Sequence, residues 1–269
     1  MGEARESRGE QGQHGVQSIE IGMQVLRALT GGERAMMLKD IAAAAGMAPS
    51  KAHRYLVSLI RAGMVEQDRE TSLYDLGPLA LHVGLAAVDR LDRVQLGLNA
   101  IADLRDRVNE TTALSVWSEH GPVIVRAERP RRAITVNVVT GTALDVLSSA
   151  SGQIFAAHLP REQVRGLIAA ELADGRAPAG VTDWPEVEAL FDKVRRDGVS
   201  SVSGYHLVPG VEAVGAPVFN AQGRITLTML VVGIQGMFDM SLEGAVVGDL
   251  IGAADLLSER LGSSRRIGG

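Results

Sequence analysis

A chain of 269 residues, 46% of them hydrophobic, can bury a full core in two modest domains or one large one. The absence of cysteine excludes a disulfide framework and zinc-thiolate sites and fits a reducing cytoplasm, and no apolar run approaches the roughly 18 residues of a membrane span. The formal charge of −5 argues against a surface that adheres to nucleic acid all over, so any such contact must be confined to one face.

Residues 1–17, MGEARESRGEQGQHGVQ, are polar and lack the apolar core of a signal peptide. They read as a disordered arm. Ser18 to Thr30 then reads as a helix with Ser18 as N-cap and Ile21, Val25 and Leu29 on one face, closed by Gly31-Gly32. In the stretch Leu38 to Val65, Leu38, Ile41, Ala42 and Ala45 have the spacing of one helix face, and Gly46 stops that helix. Pro49 and Ser50 open the next helix, because proline is accepted in a first turn where its missing N–H is not needed.

This next helix has two faces. At about 100° per residue, Ala52, Tyr55, Leu56, Leu59 and Ile60 form an apolar stripe. Ser50, Lys51, His53, Arg54, Ser58 and Arg61 lie opposite, with three fixed positive charges and no carboxylate. Such a division suits an ordinary solvated helix, and it also suits the second helix of a helix-turn-helix, which packs one face and offers donors to DNA with the other. Met64 to Gln67 and Leu73 to Leu76 read as two short strands around a polar loop with Arg69 at its tip, which makes the unit a winged helix-turn-helix. Residues 18–77 carry seven Lys/Arg and seven Asp/Glu, so the remainder of the chain holds the whole negative excess.

Gly77-Pro78 marks a boundary. Residues 78–94 follow as a helix with Leu79, Leu81, Val83, Leu85, Val88 and Leu91, too short for a membrane and too apolar to stand alone in water. It reads as a linker helix packed on a second subunit, or as a helix buried in its own domain. Residues 95–262 give an amphipathic helix (Leu96 to Val108), strands at Thr112 to Ser118, Val123 to Ala127 and Ile134 to Val139, and a small-residue loop from Gly141 to Gly152. Helices at Ile154 to His158, Arg161 to Leu172 and Trp184 to Arg196 come next, then strands at Val199 to Ser203, Val211 to Phe219 and Ile225 to Val232. A helix from Ser241 to Leu261 closes the domain, and residues 263–269 read as a loose tail. The fold class is α+β: a winged helix-turn-helix, a linker helix, and an antiparallel sheet flanked by helices.

Catalytic patterns are sparse. No two of the six histidines sit at i, i+3 or i, i+4, and there is no H-E-x-x-H, so no metal site and no cofactor is expected. There is no G-x-S-x-G elbow, and Gly210 to Gly215 is not followed by the Lys-Ser/Thr of a phosphate loop. A set of Ser151, His206 and Asp145 can be assembled, as in any chain of this length. The expectation is therefore a non-enzyme. The alternative is a small-molecule-processing enzyme with a nucleic-acid domain attached, and turnover of a bound ligand would separate the two.

SIEIGMQVLRAL, LKDIAAAAGMAPSKAHRYLVSLIRAGMV and YDLGPLALHVG together resemble the N-terminal domain of IclR-type transcriptional regulators. GVEAVGAPVFNAQGRITLTMLVVG resembles the end of that family's GAF-like effector-binding domain, and the similarity runs from about Ser18 to about Leu261. The resemblance implies a cytoplasmic homodimer or homotetramer on double-stranded, inverted-repeat operator DNA, with binding modulated by a small organic effector. DNA would be met by Ser50, Lys51, His53, Arg54, Ser58, Arg61 and Arg69. The effector would be met by Leu147, Ser149, Ala150, Ser151, Gly152, Ser203, Val211, Ala213, Leu230 and Val232. Two departures bear on its nature. Gly204-Tyr205-His206-Leu207-Val208-Pro209 stands where many members have an acidic cluster, and Leu230-Val231-Val232 where members that bind small polar acids place serines. Both remove polar partners, and a buried small diacid would leave oxygens unpaired at roughly 1–3 kcal/mol each. An aromatic or otherwise apolar effector is expected.

Overall fold

The computed structural model describes residues 15–32, 35–89, 92–132, 135–203 and 209–267. The chain divides between Leu91 and Asp92 into two units. The first holds α1 (Gln17–Thr30), α2 (Leu38–Ala44), α3 (Pro49–Arg61), β1 (Val65–Gln67), β2 (Tyr74–Leu76) and α4 (Pro78–Asp89). Its core is Val25, Leu29, Ile41, Leu56, Val65 and Tyr74, contributed by α1, α2, α3 and the wing together. The helices alone are too short to persist in water, so this shared burial holds them. β1 and β2 pair antiparallel with Val65 opposite Leu76. At the wing tip Asp68 accepts the N–H groups of Glu70 and Thr71 at 2.8 and 2.7 Å, and the bond from Thr71 leads in holding its carboxyl below the usual range.

The second unit is built on one five-stranded antiparallel sheet of order β4-β3-β7-β6-β5, from β3 (Thr111–Ser118), β4 (Gly121–Glu128), β5 (Ser200–Ser203), β6 (Val211–Phe219) and β7 (Ile225–Ile234). Strand residues alternate between its faces. On one face α5 (Arg93–Val108) and α9 (Ala245–Arg260) bury Ile101, Leu104, Leu250 and Leu257 against Leu114, Val214, Leu227 and Val231. On the other lie α6 (Ala150–His158), α7 (Arg161–Ala173) and α8 (Trp184–Asp197), with Ile154, Phe155, Ile168 and Phe191 in their shared core.

The structure departs from the sequence reading in several places. α1 begins at Gln17 behind Val16, whose backbone carbonyl receives Ile19 N–H, so Ser18 does not cap it. The expected strand from Ile134 to Val139 is absent over its described residues, 135–139. The edge of β4 is taken instead by the segment after it, where Gly141 donates to Ile124 O and Ile124 donates to Thr142 O. Val136 and Val138 still alternate inward, but without a partner strand. α6 starts four residues before Ile154, because Ser149 caps it by accepting Gly152 N–H at 2.9 Å. α9 starts at Ala245 instead of Ser241, since Ser241 is held in a turn by Asp239 at 2.8 Å. The tail is not loose as far as Ile267. Arg265 stacks 4.1 Å over the Phe219 ring and Ile267 N–H meets Asp255 at 2.9 Å. His206 and residues 1–14 of the expected arm lie outside the described residues.

Candidate functional site

In the first unit, α3 presents its two faces as its sequence requires. Ala52 and Leu56 are fully buried, while Ser50, His53, Arg54, Ser58 and Arg61 are exposed and Lys51 is half-exposed. Arg69 is exposed on the wing. Among the described residues no carboxylate pairs with Lys51, Arg54, Arg61 or Arg69, so their charge is available to phosphates. Ser58 turns its hydroxyl back to Arg54 O at 3.2 Å, which leaves it an acceptor. His53 leans toward the wing, its Nδ1 3.5 Å from the Tyr74 hydroxyl.

In the second unit a cavity of about 310 Å³ lies between the sheet, the start of α6 and the strap 136–144. Eight of the ten residues expected around an effector line it: Ser149, Ala150 and Ser151 from the start of α6, Ser203 from β5, Val211 and Ala213 from β6, and Leu230 and Val232 from β7. Leu147 and Gly152 do not. Leu147 is turned into the α6–α8 core, and Gly152 sits against the main chain of Asp145 and Val146. Ile124, Val136, Val138, Leu144 and Val202 complete an aliphatic wall that the sequence reading missed. Glu212 also borders the cavity, but its neighbours Val211 and Ala213 face inward, so strand alternation turns its carboxylate to the α5–α9 face. There it acts on Glu110, whose carboxyl is pushed up by burial first, is pulled down by Arg132, and is raised further by Glu212.

The polar rim of the cavity is anchored from behind. Glu171 accepts the N–H groups of Val146 and Leu147 at 2.6 and 2.7 Å, and burial pushes its carboxyl above the usual range. Arg176 pairs with Asp145, and Gln153 donates to Leu147 O at 2.7 Å. Ser149 spends its hydroxyl as a cap, donating to Asp145 O at 2.5 Å and accepting from Gly152, so it has no proton left for a ligand. Ser151 and Asp145, two members of the conceivable catalytic set, go instead to a hydroxyl cluster and to Arg176. Among the described residues no acceptor meets the N–H groups of Ala150 and Ser151. Two free N–H groups in the first turn of a helix are donors for a carboxylate or hydroxyl oxygen.

A winged helix-turn-helix followed by a helix-flanked sheet with an aliphatic cavity is the layout of a transcriptional regulator with a DNA-binding and an effector-binding domain. The chain belongs to the IclR family: residues 18–69 match the IclR helix-turn-helix domain and residues 85–259 match the bacterial transcriptional regulator IclR C-terminal domain. It is similar to the glycerol operon regulatory protein of Streptomyces griseus, 30% identical over 262 residues, 93% of this chain and 98% of that one. The crystal structure of Pseudomonas aeruginosa HmgR superposes with a TM-score of 0.83 and 38% identity, covering 93% of this chain and 99% of that one. An IclR homologue from Microbacterium hydrocarbonoxydans, crystallised with 4-hydroxybenzoate, shares the fold at TM-score 0.51 and 20% identity, covering 91% and 98%.

Proposed function

We propose that this regulator acts in the cytoplasm as a homodimer or a dimer of dimers, reads an inverted repeat with paired α3 helices, and turns over no substrate. Its effector is an aromatic or otherwise apolar molecule with one acidic or hydroxyl end. The observation that carries the effector reading is the cavity wall: mostly aliphatic, with Asn137, Thr142 and Ser203 its polar residues away from the start of α6, and with no charged side chain directed inward from the described residues. An apolar body gains about 25 cal/mol per Å² of area buried there, while the N–H groups of Ala150 and Ser151 orient the polar end. Glyoxylate or pyruvate would leave most of the space unfilled. The 4-hydroxybenzoate held by the Microbacterium homologue is a ligand of the proposed class.

Thermal-shift screening tests this by comparing aromatic acids and phenols with glyoxylate and pyruvate. The aromatic compounds are expected to stabilise the protein. Leu230→Ser, which puts a hydroxyl into the apolar wall, is expected to weaken them by about 1–3 kcal/mol. Stabilisation by the small acids alone, or tighter aromatic binding by Leu230→Ser, would refute the reading.

The DNA face is tested by two single changes. Arg54 points from the N-terminal half of α3, where base contacts are made in this motif. Arg54→Ala is expected to lose about 1–3 kcal/mol of specific binding and to relax sequence preference. Lys51→Ala should weaken all duplexes alike and flatten the salt dependence. Titrations in which Arg54→Ala matches wild type on the preferred duplex would contradict this assignment.

A further inference from the structure

Three hydroxyl groups meet behind the first turn of α6. Ser115 Oγ lies 2.5 Å from Ser151 Oγ and 2.5 Å from Thr228 Oγ1, and the last two are 2.8 Å apart. All three residues are fully buried. Ser115 and Thr228 stand opposite each other on β3 and β7, and Ser151 reaches them from α6. Of the three, only Ser151 belongs to the cavity wall.

Each hydroxyl has one proton and two lone pairs. In a closed triangle three protons fill three contacts, every donor is used inside, and no ligand is needed to satisfy the group. The triangle can open without losing a bond to a proton. If Ser151 turns its proton into the cavity, Thr228 donates to Ser115, Ser115 donates to Ser151, and Ser151 donates to the ligand. Each bond in such a chain polarises the next, and the gain is largest when the chain ends on a negative charge.

We infer that Ser115 and Thr228 are positioning residues for the ligand's charge: through Ser151 they make the cavity favour a carboxylate over a neutral group of the same shape. This inference rests on the effector reading above and adds which end group the site selects. Neither Ser115 nor Thr228 touches the ligand. Their contribution is the order of donors behind Ser151, working beside the free N–H groups of α6.

Calorimetric titration of the full chain tests it with benzoate, 4-hydroxybenzoate and phenylacetate, each beside its primary amide. Thr228→Val keeps the side-chain outline and removes the hydroxyl, and Thr228→Ser keeps the hydroxyl. Thr228→Val is expected to lose about tenfold in affinity for the carboxylates while the amides change little, and Thr228→Ser should restore the preference. Ser115→Ala cuts the same chain from the other strand and is read in the same way if Thr228→Val does not fold. Wild-type carboxylate affinity in the cut variants overturns the inference alone. Equal loss for acids and amides does the same, because that is what mere loosening of the wall would give. A wild-type protein that binds none of the probes overturns the effector reading and this inference with it.

Discussion

Gly152→Ala is expected to lower the melting temperature of the effector domain by roughly 6–12 °C and to abolish the thermal shift given by aromatic acids. A Cβ at this position would stand 2.3 Å from Asp145 O and 2.5 Å from both Val146 Cα and Val146 O. These are main-chain atoms, so no rotamer change relieves the contact. The segment they belong to cannot drift away, because Glu171 holds the N–H groups of Val146 and Leu147 and Arg176 holds Asp145. Overpacking against fixed backbone costs about 3 kcal/mol. What relaxation does occur moves the start of α6, and with it the N–H groups of Ala150 and Ser151 that we propose hold the polar end of the effector. Differential scanning calorimetry with and without the acid reads both effects. A Gly152→Ala protein with wild-type melting and a wild-type ligand shift would show that this close approach does not organise the cavity.

The second large effect is expected at α4. This helix has no charged residue before Asp89, and Leu81, Val83 and Leu85 are 63%, 53% and 53% exposed. At 12 residues it is about 18 Å long. A run of aliphatic side chains left in water on such a helix calls for a covering surface, and we assign that surface to the same helix of a second copy. Joining two reading heads raises the effective concentration of the second at the operator, which multiplies affinity by about 10²–10⁴. Leu85→Glu buries a carboxylate in that contact. It is expected to shift the protein to monomer in light scattering and to weaken operator binding by about 100-fold or more. An unchanged oligomer with unchanged operator affinity would contradict the interface.

The reading head was legible because its signals are local. The stripe of Ala52, Leu56 and their neighbours, the stop at Gly46 and the proline opening α3 lie within one short segment, and helix periodicity alone sorts its faces. Much of the cavity was placed by the family resemblance, and alternation along β6 and β7 is why Val211, Ala213, Leu230 and Val232 share one face. What remained hidden depends on tertiary meetings. Val136 and Val138 suggested a strand because they alternate, yet the edge of β4 was already taken by Gly141 and Thr142. Leu147 lay next to the right residues and still turned into the other core, because its N–H is fixed by a glutamate 24 residues away. Glu171 itself lies in the last turn of α7, where the sequence around it gives no sign of its partners. Ser115 and Thr228 are separated by 113 residues, and nothing near either predicts that they share a hydrogen bond.

We propose that the cavity and the α3 face are coupled, so that filling one changes the affinity of the other. Fluorescence anisotropy measures it on the duplex that the protein selects from a random library, titrated with and without a saturating amount of the aromatic acid giving the largest thermal shift. The selected duplex is expected to be an inverted repeat, and the acid is expected to change its affinity by about 5- to 150-fold in one direction. Superimposable titrations with and without the acid, or a selection that yields no preferred sequence, would contradict it.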